Sequence, residues 1–467
     1  MELQDLMTKV EYVKYKVDTF SIVLKDKTID IEPAFVSEIL LEYDFDSLYT
    51  PVLNVSIALT QLEYKQVIQE KDTVKFIIKI NKNYYNHKNK FLYFGTFLNK
   101  TFCTHIIDEN PIMEQDIVDM TKELNKTDKE SRNPMDMRDV YDFALFIEDY
   151  INSGNKDLNL CIESGKMNDI IAYVLRYTGL NKNVLMTPSN NKSKISNLLC
   201  PVMNVIETFN YLQEIKGIYN KGLLFFMDFN TIYFIDKSAY CTAWRPKEKQ
   251  ITNIYIFSQK SDYNLVAGQM IDEEEEKNNI FTNTESTDIK NKSVVANAVY
   301  GNKTVLINSK SDSVSYIDED LKQRGKSQTN IQIQKFNNKY AKNSRKMRLI
   351  ENEYDVNIVL KDVDVELLAP NKCFKLIFQN TDLNDAYGGT YRISKILTTL
   401  TKMGKELDSS TICNFKKQND KVNEFGDEDR FSDWNDYESE DLFMTNEGYT
   451  NTEFLYNSNN NQNTNKE

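Results

Sequence analysis

The stretch "AYGGTYRISKILTTLTKMGKELDSSTICNF", residues 386–415, predicts two antiparallel strands joined by a tight turn at "KMGKEL". Gly388 and Gly389 suit a sharp turn or bulge at the corner of a β-barrel, since glycine adopts backbone conformations that other residues avoid. The apolar positions change parity near Ser394–Lys395, as a bulge would cause. They are Tyr391, Ile393, Ile396, Thr398 and Leu400.

A helix is the competing interpretation of the same residues. Ile393, Ile396, Leu397 and Leu400 also follow the i, i+3, i+4, i+7 spacing of a helix face. The threonines at 398, 399 and 401 favour a strand, because β-branched side chains suit a pleated sheet. We therefore predict a bulged strand over 390–401.

The neighbouring blocks show the period of two that is typical of half-buried antiparallel strands. Three such strands are predicted before the quoted stretch, with "APNK" as a turn between the last two; their apolar positions are Val356, Ile358 and Leu360, then Val363, Val365 and Leu367, then Phe374, Leu376 and Phe378. Residues 17–107 are also rich in strand formers, with one short helix over 60–72.

The middle of the chain has a mixed pattern. Helices are predicted over 136–151, where Asp136 can cap the helix, over 167–180, which Gly179 ends, and within 201–219. Residues 222–238, "GLLFFMDFNTIYFIDKS", predict a hairpin with a turn at Asp228–Asn230.

Polar segments separate these blocks. Residues 108–135 are predicted to be a linker, and 271–293 a charged loop. The four glutamates at 273–276 lack the spaced oxygens and the glycine of a calcium loop, so we interpret them as solvated. The basic stretch 339–348 is interpreted as a solvated connector.

These patterns predict an α+β, mainly β protein with two β-barrel domains, an inserted α/β region and an acidic C-terminal tail. The predicted segments are 1–107, a first barrel with an embedded helix; 108–135, a linker; 136–260, the inserted domain; 261–346, a β-rich segment with an acidic loop; 347–417, a second barrel block; and 418–467, an acidic, Asn-rich, flexible tail. The aromatic residues of the tail leave docking on a neighbouring surface open as an alternative to flexibility.

Composition narrows the class of protein. The chain has 467 residues, 40% of them hydrophobic and 12% aromatic, enough for about three domains with real cores. A net charge of −13 argues against a surface for duplex DNA, which needs clustered Lys and Arg. No apolar run approaches the roughly 20 residues of a membrane span, so a soluble protein made in the cytoplasm is expected.

The sequence supports no active site. Its six cysteines form no CxxC pair, so neither a disulfide framework nor a metal site is predicted, and buried free thiols are expected. His87 and His105 are too far apart for a zinc peptidase, and Cys103 beside His105 lacks an orienting third group.

Glu207, Asp228 and Asp236 flank the predicted hairpin and could form a glycosidase pair only if two of them lay roughly 5–10 Å apart. Solvated carboxylates are the simpler interpretation. We predict no catalytic, cofactor-binding or metal-binding residues, and a protein that is not an enzyme.

The order of blocks resembles that of phage tail baseplate hub proteins, including the late-control-protein and type VI spike-base families. The resemblance lies in "VDVELLAPNKCFKLIF", the Gly388-Gly389-Thr390-Tyr391 step, "KMGKEL" and "STICNF", together with "EPAFVSEILLEYDFDSLYTPVLNVSIAL" and "KGLLFFMDFNTIYFID". It covers most of residues 17–417 as a pattern, without one diagnostic motif.

The resemblance implies a mechanical role in the virion. Such hubs are homotrimers whose two barrels per chain adapt a sixfold tail tube to a threefold central spike. The expected partners are other copies of the chain, the tail tube protein, the spike protein and other baseplate proteins, with DNA only passing through a channel. Two alternatives stay open: a tail-associated cell-wall hydrolase or peptidase, and another baseplate or tail-fibre connector.

Overall fold

A computed structural model describes residues 9–104, 138–180, 183–189, 191–192, 194–219, 222–237, 251–257, 268–272, 277–283, 287–290, 303–308, 313–316, 329–334, 355–417, 444–445 and 448–449. The predicted linker 108–135, the four glutamates at 273–276, the basic stretch 339–348 and nearly all of the tail 418–467 lie outside these residues.

One large sheet dominates the fold. Its strands are β1 Glu11–Val23, β2 Thr28–Asp30, β3 Val36–Asp44, β4 Val52–Thr60, β5 Lys75–Asn86, β6 Phe91–Thr104, β7 Arg138–Ile147, β15 Ile251–Phe257, β16 Gly268–Asp272, β17 Lys277–Asn283, β18 Thr287–Lys290, β22 Asp355–Lys361, β23 Cys373–Phe378, β24 Gly389–Met403 and β25 Glu406–Lys417.

Smaller sheets and five helices complete the described fold. The other strands are β8 Asp157–Leu158, β9 Cys161–Gly165, β10 Val184–Met186, β11 Ile195–Leu199, β12 Met203–Asn204, β13 Leu223–Met227, β14 Ile232–Asp236, β19 Lys303–Asn308, β20 Ser313–Tyr316, β21 Thr329–Gln334, β26 Met444–Thr445 and β27 Gly448–Tyr449. The described helices are α1 Gln61–Gln69, α2 Glu148–Gly154, α3 Met167–Thr178, α4 Val205–Ile215 and α5 Thr381–Tyr387.

Strand pairing closes the large sheet into a ring of eleven strands. The order is β1, β5, β6, β7, β4, β3, β24, β23, β15, β17 and β16, and β16 returns to β1 through the pair Glu11–Gln269. β25 pairs along its length with β24 and touches β1 at Tyr15–Leu407. It therefore divides the ring into two adjoining barrels, of eight and seven strands, that share β1, β24 and β25.

The structure confirms the mainly β class with barrels, and most of the local predictions. β24 is a strand, and its register against β25 shifts between Ile393 and Lys395, where the sequence predicts a bulge. Helices α1 and α3 and the hairpin β13–β14 form as predicted, with Gly179 left-handed at the end of α3. α4 lies within the predicted 201–219, beginning at Val205 under an Asn204 cap.

The predicted helix over 136–151 is wrong. Arg138–Ile147 is β7, and only Glu148–Gly154 is helical. Tyr141, Phe143, Leu145 and Ile147 are buried alternately against the barrel core, so the period of two outweighs the helical spacing of Val140, Phe143, Ala144 and Ile147.

Two further predictions need correction. Residues 365–368 form a 3-10 turn instead of continuing a strand, because the Asp364 carboxylate accepts the Glu366 N–H at 3.1 Å and Asp362 is left-handed. The predicted loop 271–293 contains all of β17 and β18 and the last two residues of β16. Its polar strand residues are buried in pairs, such as Asn279 accepting from Asn253 at 3.0 Å, and hydropathy does not reveal such pairs.

The domain boundaries at 107, 135, 260, 346 and 417 stay a prediction. The described residues form a large hydrophobic core inside the barrels, a second core inside the region of α3, α4 and β8–β14, which we call the inserted domain, and a small third cluster of Val10, Met270 and Phe281. β7 and β24, far apart in sequence, both belong to the eight-strand barrel.

Candidate functional site at the junction of barrel and inserted domain

The structure does not bring the predicted carboxylates together as a catalytic pair. Glu207 is exposed and caps α4, accepting from the Asn204 N–H at 3.2 Å. Asp228 and Asp236 lie at opposite ends of the hairpin, separated by at least the length of β14 from Ile232 to Asp236, which is four steps along the strand or about 13 Å.

The structure does not place the candidate thiol, Cys103, and the candidate imidazole, His87, in a common site. Burial raises the pKa of the Cys103 thiol, whose Sγ lies 3.6 Å from the Phe146 carbonyl oxygen. His87 is half-buried in the turn after β5, and His105 lies outside the described residues. Cys200, Cys373 and Cys413 are buried free thiols as predicted, whereas Cys161 is exposed. Within the described part of the chain, no group of three His, Cys, Asp or Glu side chains could hold a metal.

The hairpin β13–β14 joins two cores. Its side chains alternate, so Phe226 and Tyr233 belong to the barrel core while Phe225 and Phe234 belong to the core of the inserted domain. Because both faces are covered, the strands have the continuous apolar sequences "LLFFM" and "IYFID". This run of apolar residues is the signal in the sequence that could have shown that the hairpin packs against two cores.

The turn of this hairpin inserts among barrel aromatics. The Phe229 ring lies 6.0 Å from Tyr43, 6.3 Å from Phe97 and 6.1 Å from Phe102, mostly edge to face. The Tyr150 hydroxyl donates to the Asp228 carbonyl at 2.5 Å. The inserted domain is therefore anchored to the barrel by a packed aromatic contact.

A cavity of about 140 Å³ remains beside this turn. Tyr43, Phe97 and Phe229 line it together with the carboxylates of Asp228 and Glu366. Burial raises the pKa of Asp228 to about 7, and the nearby Glu366 adds to the rise, while the Phe229 N–H donates to Asp228 Oδ1 at 2.7 Å and opposes it. With this pKa, the Asp228 carboxyl group, which lies where the hairpin meets the barrel, loses its proton near neutral pH.

A second element of the joint is an ionic cluster around Asp46, in the loop after β3. Arg392 donates to both carboxylate oxygens at 3.2 Å, Lys237 lies at 3.0 Å and Lys416 at 2.5 Å. Burial alone would raise the pKa of Asp46, but the three cations hold it well below its usual range. The cluster ties the N-terminal strands, the inserted domain and the last two strands to one carboxylate.

A third cluster lies where the two barrels adjoin. Lys82 of β5 pairs with Asp364 at 2.7 Å and with Glu366, and Tyr84 donates to Asp364 at 2.5 Å. Burial by itself would lower the pKa of Lys82, but the two carboxylates raise it. Gln269 of β16 accepts from the Asp364 N–H at 2.8 Å, so Asp364 connects strands of both barrels.

Together these contacts join the two barrels to one another and to the inserted domain. No short-range pattern reveals the Asp46 or Asp364 clusters, because their members are up to 370 residues apart. No described helix is long and apolar enough to cross a membrane.

Comparison with known proteins places this fold in a phage family. The profile of the family described as Bacteriophage PBS1 gene 109 protein matches residues 7–462. The chain belongs to that family. No curated protein matches the sequence.

Several solved structures align with this chain at low sequence identity. A tail protein from Neisseria meningitidis MC58 aligns with a TM-score of 0.48 and 9% identity, over 88% of this chain and 97% of that one. The 43 kDa tail protein of prophage MuSo2 from Shewanella oneidensis gives 0.45 and 8%, over 85% and 97%. The E. coli c3393 protein, a type VI secretion component, gives 0.39 and 8%, over 86% and 76%. The predicted phage relationship is confirmed by the family.

Proposed function

We propose that this protein is a structural component of a bacteriophage tail baseplate, a hub that joins a sixfold tail tube to a threefold central spike. In this proposal three copies form a ring, and each contributes two barrels, so that six barrels face the tube. Its partners are then the tube protein, the spike protein and other baseplate proteins, and it resides in the virion tail. Membership in a phage family supports this setting.

One observation carries the proposal: β25 divides the eleven-strand ring into barrels of eight and seven strands within a single chain. Similar units repeated twice in each of three copies are what a change from threefold to sixfold symmetry needs. The shared strands and the Asp364 cluster connect the two barrels to one another, as a load-transmitting ring requires.

The distribution of charge suits a ring that lets DNA pass. Residues 418–467 hold thirteen Asp and Glu and three Lys and Arg, so ten of the thirteen net negative charges lie there. The remaining chain is close to neutral, without the strong positive field that holds DNA. A channel formed by residues 1–417 would therefore bind DNA weakly.

The test is the mass and symmetry of the purified protein. Light scattering is expected to give three chains of 54.6 kDa each, and electron microscopy a ring with a central channel and six peripheral lobes. A monomer or dimer at micromolar concentration would favour a wedge or fibre connector instead. A trimer with three lobes would contradict the pairing of barrels with the sixfold tube.

A non-enzymatic role is part of the same proposal. Purified protein is expected to leave peptidoglycan intact. Release of soluble fragments that is lost on Glu207→Gln or Asp228→Asn would contradict this part of the proposal and support a hydrolase.

A further inference from the structure

The tip of the β5–β6 hairpin carries a row of exposed apolar side chains. Phe91, Leu92, Tyr93 and Phe94 are consecutive, and their exposed fractions are 48%, 39%, 46% and 68%. Apolar residues that are scattered singly over a surface need no explanation, whereas a contiguous exposed group indicates a surface that another segment or molecule covers.

A bulge in the hairpin brings two of these rings to one side. The register of β5 against β6 shifts between Tyr84 and Tyr85, so Phe91 lies opposite Tyr85 while Phe94 lies opposite Asn83. Residues two apart on a strand share a face, and so do cross-strand partners, so Phe91 and Phe94 project from the same side of the hairpin. We call Tyr85, Phe91 and Phe94 the aromatic ribbon.

The charges around the ribbon are mixed and do not select a charged partner. Lys88 and Lys90 are exposed in the turn of the hairpin. Glu406, however, accepts hydrogen bonds from Asn83 and Tyr85 at 2.6 Å, directly beside the ribbon. Apolar character and position therefore decide what can occupy this surface.

The N-terminal end of β1 lies beside the ribbon. Glu11 pairs with Asn86 at the end of β5. The Tyr12 ring stacks on Tyr85 with ring centroids 5.5 Å apart, and Tyr85 lies 5.9 Å from Phe91. The chain that precedes Glu11 therefore joins the described structure next to the ribbon.

Residues 1–8, "MELQDLMT", immediately precede this point and lie outside the described residues. Leu3, Leu6 and Met7 have the i, i+3, i+4 spacing that is typical of one apolar helix face. From Lys9 the ribbon is three residues along β1 and two strand spacings across the sheet, together roughly 14 Å. Eight extended residues reach up to about 26 Å, so the apolar side chains of this segment can arrive at the ribbon.

Other stretches outside the described residues join the structure farther from the ribbon. Residues 105–137 follow Thr104, at the opposite end of β6 from the ribbon, and the tail follows Lys417, at the opposite end of β25 from Glu406. β16, which residues 258–267 precede, pairs with the opposite edge of β1 from β5. A short tether that just spans the gap gives a higher effective concentration than a long one. The N-terminal segment is therefore the favoured occupant.

We propose that residues 3–7 bind the aromatic ribbon of the same chain and cover it. Leu3, Leu6 and Met7 pack on Phe91 and Phe94, which removes apolar surface of both partners from water. The contact is intramolecular, so it forms at any protein concentration and does not depend on the number of copies in the proposed ring.

Hydroxyl-radical oxidation of side chains tests this contact, because it follows the exposure of individual rings in the full chain. In a variant that lacks residues 2–8, Phe91 and Phe94 are expected to be oxidised about threefold faster than in the parent, which corresponds to a ribbon covered about two thirds of the time. Leu3→Ser/Leu6→Ser should reproduce the increase, whereas Leu3→Ile/Leu6→Ile should keep the protection of the parent.

The matched control is Glu2→Gln/Asp5→Asn, which removes the acidic charges of the segment and should leave the ribbon protected. Tyr173 and Tyr177 on α3, which are 63% and 66% exposed in the inserted domain, are the internal standard. Their oxidation should be the same in the parent and in every variant, which shows that the fold is unchanged.

Two results would overturn the proposal. In the first, deletion of residues 2–8 leaves the oxidation of Phe91 and Phe94 unchanged at every protein concentration, so the segment does not cover the ribbon. In the second, deletion has no effect but dilution exposes the rings, which assigns the ribbon to a contact between copies. The trimer expected for the proposed hub is measured separately by light scattering, so failure of this inference and failure of the hub are distinguishable.

Discussion

Single residues hold this structure together across long sequence distances. Asp46 has three cationic partners from three separate parts of the chain, and Asp364 connects strands of both barrels. Removing one partner of a buried ionic cluster leaves uncompensated charge, which costs far more than the loss of an exposed pair. Both positions therefore have measurable consequences for stability.

We expect Asp46→Asn to lower the free energy of unfolding by about 3–5 kcal/mol at pH 7, because the buried Arg392 and the half-buried Lys237 and Lys416 lose their carboxylate. The pKa of Asp46 is lowered in the folded state, so its contribution is present above the unfolded pKa of about 3.9 and is lost as pH falls below that. Denaturant unfolding should show a smaller difference in the free energy of unfolding between parent and variant at pH 3 than at pH 7. The control Asp408→Asn, which breaks the partly exposed pair with Lys14, should cost less than about 1 kcal/mol.

The ionised Asp228 carboxylate should lower the stability of the folded protein, whereas the ionised Asp46 carboxylate raises it. Its folded pKa is raised to about 7, so the folded state is most favoured below the unfolded value of about 3.9 and loses stability as pH rises through 7. Asp228→Asn keeps the acceptor for the Phe229 N–H and removes the charge, so it should stabilise the protein at pH 8 by at most about 4 kcal/mol. The difference should vanish near pH 4. Equal stability of parent and variant at both pH values would show that Asp228 is not buried as a charge.

Among the elements, the hairpin β13–β14 is the most informative because neighbouring residues serve different cores. Phe226 packs 4.7 Å from Phe45 in the barrel, and Phe225 packs 5.1 Å from Phe209 in the inserted domain. Large-to-small changes at either position open a cavity, at a cost of about 3–5 kcal/mol.

Hydrogen exchange can separate the two cores. Phe226→Ala should lower protection in β3 most, whereas Phe225→Ala should lower it in α4 most, because each cavity opens on a different side. Each variant is the control for the other, because the two phenylalanines are neighbours in the sequence and both substitutions remove the same side-chain volume. An identical exchange pattern in both would show that the inserted domain and the barrel do not unfold separately.

The sequence predicted most individual strands and helices correctly, but it did not predict which strands pair with one another. The bulge near Ser394 follows from a change in the parity of apolar residues, a local signal. The strand at 138–147 was predicted as a helix because Phe143 and Ile147, four residues apart, fit both periods and Val140 fits the helical one, and only the neighbouring β4 decides between them. Helix α5 was missed because its residues are all at least partly exposed and its cap Asn380 is one of many asparagines.

For the whole molecule, the sequence predicted barrels but not the shared strands. β24 pairs with β3 through residues such as Leu400 and Ile39, about 360 positions apart, and no property of either residue specifies the other. The junction site has the same limitation, since its ionic members are scattered over the chain.

A fragment without β24 and β25 tests whether the eight-strand barrel depends on these shared strands. Residues 1–147 contain the other six strands of the eight-strand barrel, β1 and β3–β7, but lack β24 and β25, so the barrel cannot close; they also exclude the separate core of the inserted domain. We expect the fragment to show no cooperative unfolding transition by circular dichroism, and co-expression with residues 355–417 to restore part of it. A cooperative transition in the fragment alone would show that 1–107 forms an independent domain with a closure of its own.

Sharing the final strands also affects how the protein is made. Among the barrel strands the ribosome produces β1 first and β25 last, and every barrel seam that involves β24 or β25 must wait until these two strands have been made. An interrupted chain would leave both barrels with open edges that attract other strands, a hazard that proteases and chaperones remove. Only finished polypeptides could then enter a virion.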